Sequence, residues 1–122
     1  MNLERFSAIN RQRCEGSGGF NQPIVSWSMN DWFTATLGEL GEAANASKKL
    51  KRSEDGIRGN KEDDAYLREH LKREIGDVGI YLDLLAQRAG FTLGECIIAA
   101  FDSKSDDMGW DGPRLASLPN GL

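Results

Sequence analysis

Apolar residues in this chain recur in steps of three and four, and no segment alternates convincingly with period two. That pattern predicts an all-α fold. A short helix is expected within residues 1–13, where Leu3, Phe6 and Ile9 share a side. CEGSGGFNQP, residues 14–23, is a loop, because three glycines and a proline stop any element. Ser28 and Asp31 have capping-box spacing, with Asn30 as a rival cap, and open a helix running from about 31 to 50. Residues 51–64 read as a charged, exposed connection. A second long helix is expected from about 62 to 89, with Gly90 at its C-terminal cap. Thr92 and Glu95 form another capping-box pair, opening a helix to about Asp107. From about 109 the chain is turn-rich and irregular. The expectation is a bundle of three main helices plus a short N-terminal one.

The two long helices carry the chemistry. On the first, Trp32, Ala35, Glu39, Glu42, Ala46 and Lys49 share one stripe, beside an apolar stripe of Phe33, Leu37, Leu40 and Ala44. On the second, Glu74, Asp77, Tyr81, Leu84 and Arg88 lie beside Ile75, Val78, Leu82, Leu85 and Ala89. Both acid pairs are spaced i and i+3. Each pair is accompanied by glycines: Gly38 and Gly41 on one helix, Gly76 and Gly79 on the other. Burying unpaired carboxylates costs several kcal/mol, and an interior helical glycine costs roughly 0.5–1 kcal/mol relative to alanine. Two costs at matching places predict a divalent cation between the helices, with the glycines letting the backbones approach. Oxygen ligands suit Mg²⁺ or Mn²⁺. Asp83 and the only histidine, His70, read as exposed surface residues.

The remaining composition narrows the class. A length of 122 residues fits one domain spanning 1–122. The net charge of -4 argues against a binder of nucleic-acid polymers, whose backbones attract basic surfaces. It does not exclude a nucleotide, since a metal can bridge two anions. Cys14 and Cys96 stand in no metal-ligand spacing and read as reduced thiols. No apolar run approaches membrane length and the N-terminus has no signal core, so a cytoplasmic protein is expected.

The acids also sit in a recognisable order. Glu39-Leu-Gly-Glu42 followed by Glu74-Ile-Gly-Asp77 resembles the E-x-x-E … E-x-x-D signature of the MazG-like nucleotide pyrophosphohydrolases, in the all-α NTP pyrophosphatase superfamily. Dimeric dUTPases and phosphoribosyl-ATP pyrophosphohydrolases are relatives there. The likeness extends over about residues 23 to 110. It includes Trp27-Ser-x-Asn30-Asp31-Trp32, GELGEAAN…KKLKR, REIGDVGIYLDLLAQRAGFTL and FDSKSDDMGW. Asp102 departs from it, standing where relatives often carry asparagine, and so does Asp107, where a basic residue is frequent.

The resemblance implies Mg²⁺-dependent hydrolysis of a nucleoside triphosphate between its α and β phosphates, in a homodimer or homotetramer. Glu39, Glu42, Glu74 and Asp77 would hold the metal, with Mn²⁺ as a substitute. Asn45, Lys49 and Lys104 would contact phosphates or bound water, and Trp27 or Trp32 would stack on the base. Two alternatives stay open: a helical interaction module with weak turnover, and a dUTPase-like enzyme restricted to uracil.

Overall fold

A computed structural model describes residues 1–121. Four helices form: α1 (Leu3–Glu15), α2 (Met29–Glu54), α3 (Asp64–Arg88) and α4 (Leu93–Asp107). Single 3-10 turns lie at Ile24–Ser26 and Leu115–Ser117, and the described residues contain no strand. The all-α expectation holds. Among the described residues, no single helix is long and apolar enough to cross a membrane.

Local chemistry fixes the boundaries. Ser28 accepts from the Asp31 amide at 3.1 Å while Asp31 accepts from the Ser28 amide at 2.9 Å, closing the capping box of α2. Thr92 and Glu95 do the same for α4, at 3.2 and 2.8 Å. Asp63 caps α3 by accepting from the Tyr66 amide at 2.8 Å. Gly90 follows α3 with φ +94, the left-handed conformation that ends many helices. Two boundaries differ from expectation, and the first is that α1 runs on through Cys14 and Glu15, which were expected in the loop. The second is that α2 continues through residues 51–54, where Lys51 pairs with Asp55 and places positive charge at the helix's negative end.

α2 and α3 make an antiparallel hairpin. Ser53 meets Asp64 near the turn, the acids meet midway, and Trp32 meets Tyr81 at the open end. A core gathers at that open end, where Cys14, Ile24, Trp32, Leu84 and Leu85 are buried together. The Trp32 indole donates to the Ile24 carbonyl at 2.9 Å, so even its polar atom is satisfied. Trp27 packs on it at 4.7 Å. α4 leaves α3 at 91°.

Asp83 is the pin that joins α1 and α4 to α3. It is fully buried, contrary to the exposed position its sequence suggests. Its carboxylate accepts from Ser7 Oγ at 2.5 Å, Asn10 Nδ2 and Gln87 Nε2 at 2.9 Å, and the Leu93 amide at 3.2 Å. A buried carboxylate is tolerable when its oxygens are so fully served.

The helical stripes are arranged inside out relative to expectation. The face of α2 turned to α3 runs Trp32, Thr36, Glu39, Ala43, Ala46 and Leu50, all buried or half-buried. Its large apolar stripe points away: Phe33, Leu37 and Leu40 are at least half exposed. On α3, Glu74, Asp77, Tyr81 and Leu84 are buried or half-buried, whereas Ile75 and Leu82 are exposed. The acids line the middle of the helix interface, whereas the aliphatic and phenylalanine side chains Phe33, Leu37, Leu40, Ile75 and Leu82 are left outside it.

The glycines are likewise not at the contact. A methyl group built at Gly38, Gly41, Gly76 or Gly79 meets nothing within 4 Å. The expected close approach of backbones is therefore not their role within one chain. Small Ala43 and Ala46, both buried, stand on the face turned to α3 instead.

Candidate metal centre

Midway along the hairpin, one carboxylate oxygen from each of Glu39, Glu74 and Asp77 lies within 4.8 Å of the others. All three side chains are half-buried. Glu39 comes from α2 and the other two from α3, where i and i+3 spacing puts them on one face. Glu42 is exposed at the rim, outside the tight trio, although its charge still reaches Glu39. The quartet named from sequence thus resolves into three converging acids and one neighbour.

The electrostatics are unbalanced. Among the described residues, no lysine or arginine forms an ion pair with any of the four. Burial pushes the Glu39 carboxyl above the usual carboxylate range, and repulsion from Glu42, Asp77 and Glu74 adds to it. Burial also raises the Tyr81 phenol, with Glu39 and Asp77 contributing. Oε2 of Glu74 is buried with no hydrogen-bond partner among the described residues. An orphaned buried acceptor ordinarily costs about 1–3 kcal/mol.

These residues fit a hard divalent cation. Mg²⁺ takes oxygens at about 2.1 Å in an octahedron, so its ligands stand about 3.0 Å apart when adjacent and about 4.2 Å apart when opposite. Three oxygens within 4.8 Å of one another lie close enough for side-chain rotations to bring them to one such ion. A cation would also supply the partner that Glu74 Oε2 lacks.

The other residues named from sequence are dispersed. Asn45 is exposed on α2, one turn beyond Glu42. Lys49 is half-buried further along, and its carbonyl accepts from Asn60 Nδ2 at 2.7 Å, which ties down the loop. Trp27 is half-buried, packed on Trp32. Trp32 itself is only 1% exposed, so no ring face is open to a base. That rules out stacking by Trp32 in this conformation, because the core has claimed the ring. Lys104 is exposed on α4, beside Ile97, Phe101 and Trp110. Eleven residues of α3 and eleven of α4, at about 1.5 Å each and at right angles, place its backbone roughly 20–25 Å from that of Asp77. A lysine does not span that gap, so the structure does not bring Lys104 to the acids within one chain.

Asp102 has a structural task. Its carboxylate accepts from the Leu115 and Ala116 amides at 2.7 and 3.0 Å, which fastens the tail turn to α4. One neighbour of the acids was missed by the reading of His70 as surface. Its Nε2 lies 3.4 Å from Glu74 Oε1. The signal was available: positions 70 and 74 are one turn apart on the same face.

Comparison of the chain with protein-family models, with curated proteins and with solved structures found no match.

Proposed function

We propose that the protein is a Mg²⁺-dependent nucleoside triphosphate pyrophosphohydrolase that cleaves between the α and β phosphates. The observation carrying this reading is the meeting of Glu39, Glu74 and Asp77 from two helices, where Glu74 also keeps one buried oxygen without a hydrogen-bond partner. The order of acids that resembles the MazG-like signature supports it from sequence. Bound there, Mg²⁺ would neutralise the carboxylates and the developing charge on a triphosphate.

The chain's own groups divide the remaining work. Glu39, Glu74 and Asp77 hold the cation. Glu42, exposed at the rim, is the carboxylate left free to take a proton from water. The water oxygen bonds to phosphorus, the α–β anhydride breaks, and pyrophosphate departs. Asn45 and Lys49 lie further along α2, one and two turns beyond Glu42.

The exposed apolar stripe supports a homo-oligomer. Met29, Phe33, Leu82 and Leu85 line an open apolar groove of about 440 Å³ together with Phe91 and Ile97 of the α3–α4 corner. An open apolar groove beside exposed large side chains is the kind of surface that a partner covers. In this reading Lys104 meets substrate only from a neighbouring copy.

The test is product identity. Incubation with each dNTP and Mg²⁺ is expected to release monophosphate and pyrophosphate, and Glu74→Gln or Asp77→Asn is expected to abolish release. Diphosphate with inorganic phosphate would overturn the assigned bond. No turnover with any base would favour the interaction module. Turnover of dUTP alone would favour the uracil-restricted enzyme.

A further inference from the structure

We propose that His70 is a positioning residue for Glu74, holding one carboxylate oxygen so that the other stays free for the cation. This inference rests on the metal-binding part of the reading above.

Tyr66, His70 and Glu74 follow one another at intervals of four on α3, so they stack along one stripe. The Tyr66 ring and the imidazole are nearly parallel, at 11°, with centroids 6.0 Å apart. The imidazole then reaches Glu74 Oε1, with Nε2 at 3.4 Å. Its ring is two-thirds covered and the carboxylate is only 15% exposed. Oε1 therefore has the imidazole nitrogen within ion-pair distance, whereas Oε2 is buried with no hydrogen-bond partner among the described residues.

A glutamate carries three rotatable bonds, and a ligand that wanders among rotamers binds more weakly than one held in place. Groups behind a metal ligand fix its orientation and typically alter metal affinity by 10- to 100-fold. Nε2 bears a proton in the cation and in one neutral tautomer, so the contact does not depend on one charge state.

The experiment uses the full chain and Mg²⁺ alone, with affinity read by calorimetry and by the metal-induced rise in Tm. H70F keeps the stacking on Tyr66 but removes the donor, and is expected to weaken Mg²⁺ binding roughly tenfold. H70Q restores an N–H at similar reach and is expected to return affinity to within a few-fold of the parent. H70A, which adds no bulk, repeats the comparison should H70F fold poorly. Parental affinity in H70F or H70A overturns the proposal, as does H70Q binding no better than H70F. A parent that binds Mg²⁺ but releases no pyrophosphate overturns the enzymatic reading and leaves the role of His70 standing. A parent with no Mg²⁺ affinity overturns both.

Discussion

Asn10 donates its amide to the Asp83 carboxylate at 2.9 Å, across 73 positions of sequence. Ser7, Gln87 and the Leu93 amide donate to the same group. Four donors around one carboxylate demand an acceptor-only side chain. Asp83→Asn turns one oxygen into a donor that faces other donors. The expected result is a loss of about 3–5 kcal/mol, the range for breaking a buried charged network. At about 3–5 °C per kcal/mol for a chain of this size, Tm falls by 10 °C or more. A thermal melt without metal checks it, and a loss under 1 kcal/mol would contradict the pinning role.

Glu39→Gln is expected to stabilise the metal-free protein near neutral pH. The charged groups facing Glu39 are Glu42 on its own helix, and Asp77 and Glu74 on α3, with His70 behind Glu74 and Tyr81 alongside. Its pKa is raised on folding, so the folded state holds the proton longer than the unfolded one. Parental stability therefore falls as pH rises through the raised value. Below the unfolded pKa the penalty vanishes. The advantage of the variant should be present at pH 7 and fade as pH drops through the carboxylate range. Half-exposed carboxylates couple by about 0.2–1 kcal/mol, which sets its size. Denaturant melts of both proteins across pH measure the difference; a constant difference would contradict the assignment.

Much of this architecture is legible in sequence because its signals are local. The capping boxes at Ser28–Asp31 and Thr92–Glu95 and the left-handed Gly90 depend on neighbours a few residues away. The acids of α3 converge because i and i+3 share a face. The direction of the stripes was not legible. Periodicity marks Phe33, Leu37 and Leu40 as one face of a helix, but not whether this chain or another covers it. The glycines misled for the same reason, since open space beside a Cα is a property of the assembled molecule. Asp83 lies in a helical run with ordinary polar spacing, and its donors come from α1, its own helix and the start of α4. Only a three-dimensional arrangement distinguishes it from a solvated aspartate.

Leu37→Glu tests the uncovered face. Leu37 is 66% exposed, so a charge there costs the isolated chain little. In a homo-oligomer the same charge would be buried against apolar surface, at a cost of several kcal/mol. The parent is expected to sediment as a dimer or larger, with Tm rising with protein concentration. The variant is expected to sediment as a monomer, with a melt independent of concentration. Identical sedimentation of the two would remove this stripe from any interface.

The metal trio makes a sharper claim than the four-acid motif does, because the acids are not equivalent. Mg²⁺ that binds only the folded state raises stability by RT ln(1 + [Mg²⁺]/Kd), about 1.4 kcal/mol at ten times Kd. For this chain that is a Tm rise of about 4–7 °C. Glu74 supplies the buried, unpartnered oxygen and Asp77 converges with it, whereas Glu42 is exposed and outside the 4.8 Å group. Glu74→Gln and Asp77→Asn are therefore expected to erase most of the Mg²⁺-induced rise. Glu42→Gln should retain more than half of it while losing turnover, since its proposed task concerns the water rather than the ion. Chelation should return the parent to its metal-free Tm. Equal loss of the rise in all three variants would mean that Glu42 is a full ligand and that the geometry of the free chain closes further around the ion.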